Sequence, residues 1–255
     1  MISGTTYWTQ LGEKIMLDST AGRDPSTILI FLLETNRACP VCVVLRDREF
    51  YMLSQFQYGV VHDLKKRDAF RFEGTLCNHH AWFMEALATP VTNGRLFYAL
   101  IVETVGRLDE GSASFRDIVN HRPQREVIAR LLEGERRCIA CEDHAAMETH
   151  LIQEMIRLLG DPSFRTTYRT SWGICRPHLA GVLGRIEEPP LKAFVLQAYR
   201  AQLTHQAHEL EELERQTAAK VRHLGELGRA HVRAIERWVG MPGLAYSRQE
   251  PGRSL

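Results

Sequence analysis

Six cysteines and two histidines fall into one spacing pattern that occurs twice: Cys39-x-x-Cys42 followed by Cys77-x-x-His80, then Cys138-x-x-Cys141 followed by Cys175-x-x-His178. Three thiolates and one imidazole make the donor set of a closed, tetrahedral zinc site. A two-residue gap lets each pair reach one ion from a single turn of chain. The gap from second to third cysteine is 35 residues in the first copy (42 to 77) and 34 in the second (141 to 175), and no cysteine is left over. The spacing predicts two Cys3His metal sites, with Cys39, Cys42, Cys77 and His80 in one and Cys138, Cys141, Cys175 and His178 in the other. Zinc, two ions per chain, is the expected metal, and an iron–sulfur cluster is the alternative for the same donors.

Other residues compete for these roles. His79 adjoins His80, but only His80 has the cysteine-plus-three spacing that His178 shares. His144 also follows a cysteine by three, yet its counterpart in the first copy is Leu45, so it reads as a solvated or supporting histidine. Cys39-Pro40-Val41-Cys42 has the form of a thioredoxin-type redox pair. The strand–helix–strand context of that motif is missing, and Cys138-Ile139-Ala140-Cys141 lacks the proline. A zinc–thiolate switch that ejects its metal on oxidation is the remaining redox reading. The bland reading, six small buried hydrophobes, sits poorly with a spacing written twice.

The duplication extends past the ligands. A shift of 99 lays Leu32, Leu33, Glu34 and Arg37 on Leu131, Leu132, Glu133 and Arg136; a shift of 98 then lays Asp63 on Asp161, Phe70 on Tyr168 and Arg71 on Arg169. A repeat of this length suits a duplicated domain rather than a solenoid unit. Arg37 and Arg136, two residues before their cysteines, are candidates to offset the net negative charge of a Cys3His site.

The elements that must position these residues read as all-α. Asp24-Pro25 is a cap followed by proline in the first turn, and Pro40 opens a second helix. Apolar positions from Val43 to Val61 suit a long helix over Cys39 to Lys66, matched by Cys138 to Leu159 in the second copy. Further helices are expected over 78–88, 94–108 and 176–186, with Arg71–Leu76 and Arg169–Ile174 as the loops that deliver the third cysteines. Both ligand pairs of each copy then sit at helix N-termini, where free amides and the helix dipole favour thiolate. No stretch shows the two-residue alternation of a half-buried strand.

With CPxC and C-x-x-H-A-W elements at Cys39-Pro40-Val41-Cys42 and Cys77-Asn78-His79-His80-Ala81-Trp82, the chain resembles an uncharacterised bacterial helical family, a domain of unknown function. The resemblance covers roughly residues 25 to 200 and implies the fold and the ligands, but no reaction. The second set departs from the pattern: Cys138-Ile139-Ala140-Cys141 lacks the proline, and Ala180 stands where Trp82 does.

After Pro189-Pro190 a helical pattern runs to about Val239. Leu196, Leu203, Leu210, Leu224 and Trp238 share a seven-residue register, the mark of a long helix or helical hairpin. The expected organisation is an N-terminal segment (1–24), a first metal-binding repeat (25–110), a second (111–188) with its linker at Gly111–Ser114, a helical arm (189–240) and a flexible tail (241–255). A protein partner or self-association through 191–239 is the expected use of the arm. The net charge of +1 gives no general pull toward nucleic acid, and no apolar run approaches the ~20 residues of a membrane span. With no secretion signal at the N-terminus, a cytoplasmic protein with reduced cysteines is expected. Phosphate loops, nucleophile elbows and His-Glu-x-x-His motifs are absent. His205-x-x-His208-Glu209 reads as a solvated face. Together these point to a structural, metal-stabilised binding or scaffolding protein rather than an enzyme.

Overall fold

A computed structural model describes residues 24–35, 38–63, 65, 76–112, 138–219, 224–241 and 243. Its elements are α1 (Pro25–Thr35), α2 (Pro40–His62), α3 (Asn78–Leu87), α4 (Pro90–Ser112), α5 (Ile139–Leu159), α6 (Pro162–Thr170), α7 (Arg176–Leu183), α8 (Pro189–Ala218), a 3₁₀ turn (Gly225–Arg229) and α9 (Ala230–Val239). The all-α expectation holds: among the described residues there is no strand. No helix there is long and apolar enough to cross a membrane. Arg37, Arg136, the Leu131–Glu133 match, Phe70, Arg71, Ala113, Ser114 and nearly all of the two terminal segments lie outside the described residues.

Proline writes most of the helix starts. Pro25, Pro40, Pro90, Pro162 and Pro189 each open a helix, where the missing N–H costs nothing and the fixed φ is already helical. Asp161 shows the capping chemistry in full: its Oδ1 accepts from the Ser163 amide and hydroxyl, both at 2.9 Å. Asp161-Pro162 therefore does more than end α5. It starts α6, a separate helix covering residues that include part of the expected Arg169–Ile174 loop.

Contacts divide the chain into two units, Met1–Asp47 with Met147–Leu244, and Arg48–Ala146 with Ala245–Leu255. In the first, α6 packs on α1 and α8, and α9 packs on α7 and α8, so the C-terminal arm is a hairpin turned at the 3₁₀ segment. Gly225 takes φ 52° at the start of that turn, a left-handed conformation that glycine adopts without strain. The core there includes Leu29, Met155, Leu159, Tyr168, Ile174, Val182 and Val195. The face α8 buries is Leu191, Val195, Ala198, Tyr199, Gln202 and Gln206, while Leu196 of the seven-residue leucine register is 49% exposed.

In the second unit α3 packs on α4, and Leu53, Met84 and Leu96 are buried together with Cys138 and Ala140. Truncating such a side chain, Leu53→Ala for example, costs about 2–5 kcal/mol. Cys138, one of the expected ligands, is thus part of this core, and packing and site geometry are fixed together.

Candidate metal centres

All four ligand pairs are built the same way. Cys39, Cys77, Cys138 and Cys175 each stand just before a helix, and the partner residue three positions later lies in its first turn. Each leading carbonyl accepts the first helical hydrogen bond: Val43 N–H to Cys39 O at 3.1 Å, Ala81 to Cys77 at 2.9 Å, Glu142 to Cys138 at 3.1 Å and Leu179 to Cys175 at 2.9 Å. Cys77 and Cys175 share nearly one backbone conformation, φ −71° with ψ 171° and 162°. Two helix N-termini therefore point their free amides and positive dipole ends at each cluster of sulfurs.

The pairs do not close within their own copies. Cys39 and Cys42 meet Cys175 and His178; Cys138 and Cys141 meet Cys77 and His80. This corrects the sets expected from the spacing. The physical reason is α2: its 23 residues carry the chain some 34 Å from its first turn at ~1.5 Å per residue. His80, in the first turn of α3, stands beside Glu49 of the second unit. Each set is still Cys3His, because exchanging equivalent pairs between two copies leaves the composition unchanged.

The two clusters agree contact for contact. Cys42 Sγ lies 3.6 Å from Cys175 Sγ, and the equivalent Cys141 Sγ lies 3.7 Å from Cys77 Sγ. His178 Nδ1 is 3.4, 3.4 and 3.2 Å from Cys39, Cys42 and Cys175. His80 Nδ1 is 3.3, 3.4 and 3.1 Å from Cys138, Cys141 and Cys77. For one ion at ordinary Zn–S and Zn–N lengths, a regular tetrahedron has S···S edges of about 3.8 Å and S···N edges of about 3.6 Å. The donor sets fit a single tetrahedral ion. None of the six cysteines is in a disulfide. Cys39, Cys42, Cys175 and His178 are all buried, whereas Cys77 and Cys141 are only partly so.

Electrostatics show what the clusters demand. Burial opposes charge on His80, yet bonds to Cys138, Glu49 and Cys77 outweigh it and push its pKa up to about 10. Burial also disfavours the Cys138 thiolate, but the bond to His80 and the backbone amides bring it down to about 6. Cys141 is driven the other way, by burial and by the charge of Cys138. In the other cluster burial again opposes charge on His178, and the Cys39 charge with bonds to Cys175, Cys39 and Cys42 raises it well above the ordinary value. Burial raises Cys42. A nest of sulfurs that holds a proton on its histidine is one that calls for a cation at its centre, and a divalent metal answers that call more fully than a proton.

Sequence reasoning missed one pair of residues. Glu49 Oε1 lies 2.9 Å from His80 Nε2, at hydrogen-bond distance though off the axis of the ring N–H. Glu148 Oε1 lies 3.4 Å from His178 Nε2. Both carboxylates are buried, and both sit seven residues after the second cysteine of their helix, related by the same shift of 99. A carboxylate behind a ligating imidazole fixes the ring and raises its basicity. His79 stays out of the sulfur cluster and approaches Glu49 instead, at 3.2 Å. His144 is buried outside both donor sets. His205 and His208 are 80% and 72% exposed, as expected of a solvated face.

Fold and sites define an all-helical protein carrying two Cys/His clusters able to hold metal ions, each completed by ligand pairs from both halves of the sequence. The matching family model, a family of unknown function (DUF6062), covers residues 28–219. The chain belongs to that family. No curated protein and no solved structure matches it.

Proposed function

We propose that this is a zinc protein with two structural Cys3His sites, acting as a binding or scaffolding module. The observation that carries the proposal is the completeness of each donor set: four protein ligands close a tetrahedron, whereas catalytic zinc keeps a position open for water or substrate. The compactness of the sets favours a single ion over an iron–sulfur cluster, which interposes several irons and sulfides between its thiolates. Six cysteines with no disulfide among them suit the cytoplasm. Elemental analysis of protein purified without added metal tests the assignment. About two zinc atoms per chain are expected; iron with sulfide, or no metal, contradicts it.

The C-terminal hairpin is the proposed contact element. An apolar groove of about 470 Å³ runs between α8 and α9, lined by Leu203, Leu210, Ala234, Ile235, Trp238 and Val239. Ile235 and Trp238 are 59% and 55% exposed. Part of the leucine register that does not face the core thus forms the groove wall, which supports a protein partner or a second copy docking through 191–239. Trp238→Ser with Ile235→Ser should abolish self-association or partner capture while leaving metal content unchanged. Unchanged association would remove the arm from this role.

One observation favours a second reading, a zinc–thiolate switch. Cys77 and Cys141 are partly exposed, and the Cys138 pKa is brought down to about 6, which keeps it a thiolate, the oxidisable form, at neutral pH.

A further inference from the structure

The shift of 99 that relates Glu49 to Glu148 also lays α4 on α8: Pro90 falls on Pro189, Leu96 on Val195 and Ala99 on Ala198. The inward positions agree. Thr92 and Leu96 are buried, as are their counterparts Leu191 and Val195. The outward positions do not. Where α8 turns Gln197, Arg200 and Thr204 to solvent, α4 exposes Tyr98, Ile101 and Val105, by 69%, 61% and 48%. The same helix in the other copy thus carries polar residues on this face, and a run of exposed apolar side chains in α4 marks a contact surface rather than a need of the fold.

The face is ordered as a seam. Val91, Tyr98 and Val105 stand seven residues apart, and Arg95, Val102 and Asp109 interleave with them at alternating steps of four and three, the spacing that lays one helix along another. Val91, Arg95, Tyr98, Val102 and Val105 are all exposed. Gly94 and Gly106 flank the seam, and a Cβ at either would meet nothing within 4 Å, so packing within the chain does not require them. Glycine weakens a helix interior, but here it lets a second backbone come close. The charges select the occupant. Arg95 lies toward the N-terminal end of the seam, and Asp109, followed by Glu110, lies one turn beyond Val105 at the C-terminal end. A second copy laid antiparallel sets Arg95 toward the partner's Asp109, and two-fold symmetry forms that pairing twice. A parallel copy would set like charge on like.

We propose that α4 is a homodimer interface, in which the α4 helices of two copies pack antiparallel about a two-fold axis. The apolar seam supplies the burial, and the opposed end charges fix the direction. Self-association then belongs to α4, which leaves the hairpin groove to a different protein.

Sedimentation velocity of the full chain, at concentrations up to about 100 μM because a single helix pair is a small interface of the weak class, should show a concentration-dependent dimer. Tyr98→Lys with Val105→Lys should leave a monomer with metal content and Tm unchanged, since both side chains are exposed. Arg95→Glu and Asp109→Arg should each raise the dimer Kd roughly tenfold at low ionic strength, and the double variant should restore it. A dimer that ignores the lysine substitutions, or charge reversals that the double variant does not rescue, overturns the proposal. So does a monomeric wild type: if its lysine variant melts lower, the seam is covered by another segment of the same chain, and if the variant melts unchanged, the seam belongs to a different protein.

Discussion

Glu49 Oε1 approaches His80 Nε2 at 2.9 Å while Nδ1 of the same ring faces three sulfurs, so one imidazole stands between a carboxylate and a sulfur cluster able to hold a metal ion. Glu148 stands behind His178 in the same way at 3.4 Å. Loss of such a carboxylate lowers metal affinity about 10–100-fold in comparable sites. Glu49→Gln should therefore weaken the ion held by His80, and Glu148→Gln the ion held by His178, each leaving the other unchanged. Competition with a chromogenic chelator reads both. Equal loss from the two clusters in either variant would show that the glutamates act through the fold instead.

The clusters differ in exposure, and metal release should follow it. Cys77 and Cys141 reach solvent, whereas Cys39, Cys42 and Cys175 do not. Release on peroxide or chelator treatment should be biphasic, with the fast phase abolished in Cys141→Ser and kept in Cys42→Ser. A single phase of two equivalents would contradict the assignment.

Protons compete with the metal, with a definite sign. In the metal-free cluster His80 keeps its proton up to about pH 10, so metal binding near neutrality expels it, and affinity rises with pH. Zinc affinity should climb by roughly tenfold or more per pH unit between about pH 6 and 8, and acid should release the ion. The metal-free fold behaves oppositely. The raised His80 pKa stabilises it below the ordinary histidine value of 6.5, and that contribution is lost as pH rises toward about 10. Thermal unfolding with and without chelator across this range separates the two slopes.

Gly173 controls delivery of Cys175. Its φ is 81°, its amide donates to Ser171 Oγ at 3.0 Å, and a Cβ there would run into the Gln202 side-chain amide. Gly173→Ala should destabilise the protein by at least about 1 kcal/mol and weaken the Cys39–Cys42–Cys175–His178 site. Wild-type stability in this variant would show that the loop has another acceptable conformation.

Much of this was legible in residue types and spacing. Cys-x-x-Cys and Cys-x-x-His ahead of apolar runs, with Pro40 and Pro177 inside two of them, marked helix starts, and the shared plus-three spacing preferred His80 over His79, whose ring the structure leaves outside the sulfurs. The exchange of pairs was hidden, because two equivalent copies give Cys3His whichever way they are matched. Glu49 and Glu148 were visible as a repeat, but a glutamate in a helix ordinarily faces water. The buried face of α8 was not legible because it includes Gln202 and Gln206, polar residues that are buried, while Leu196 stays half in solvent.

The pairing itself is tested most directly by zinc content in two double variants. Cys42→Ser with Cys175→Ser strikes one cluster twice and should retain about one zinc per chain. Cys42→Ser with Cys77→Ser strikes both and should retain almost none. One zinc in the second variant and none in the first would restore pairing within each copy and contradict the crossed arrangement.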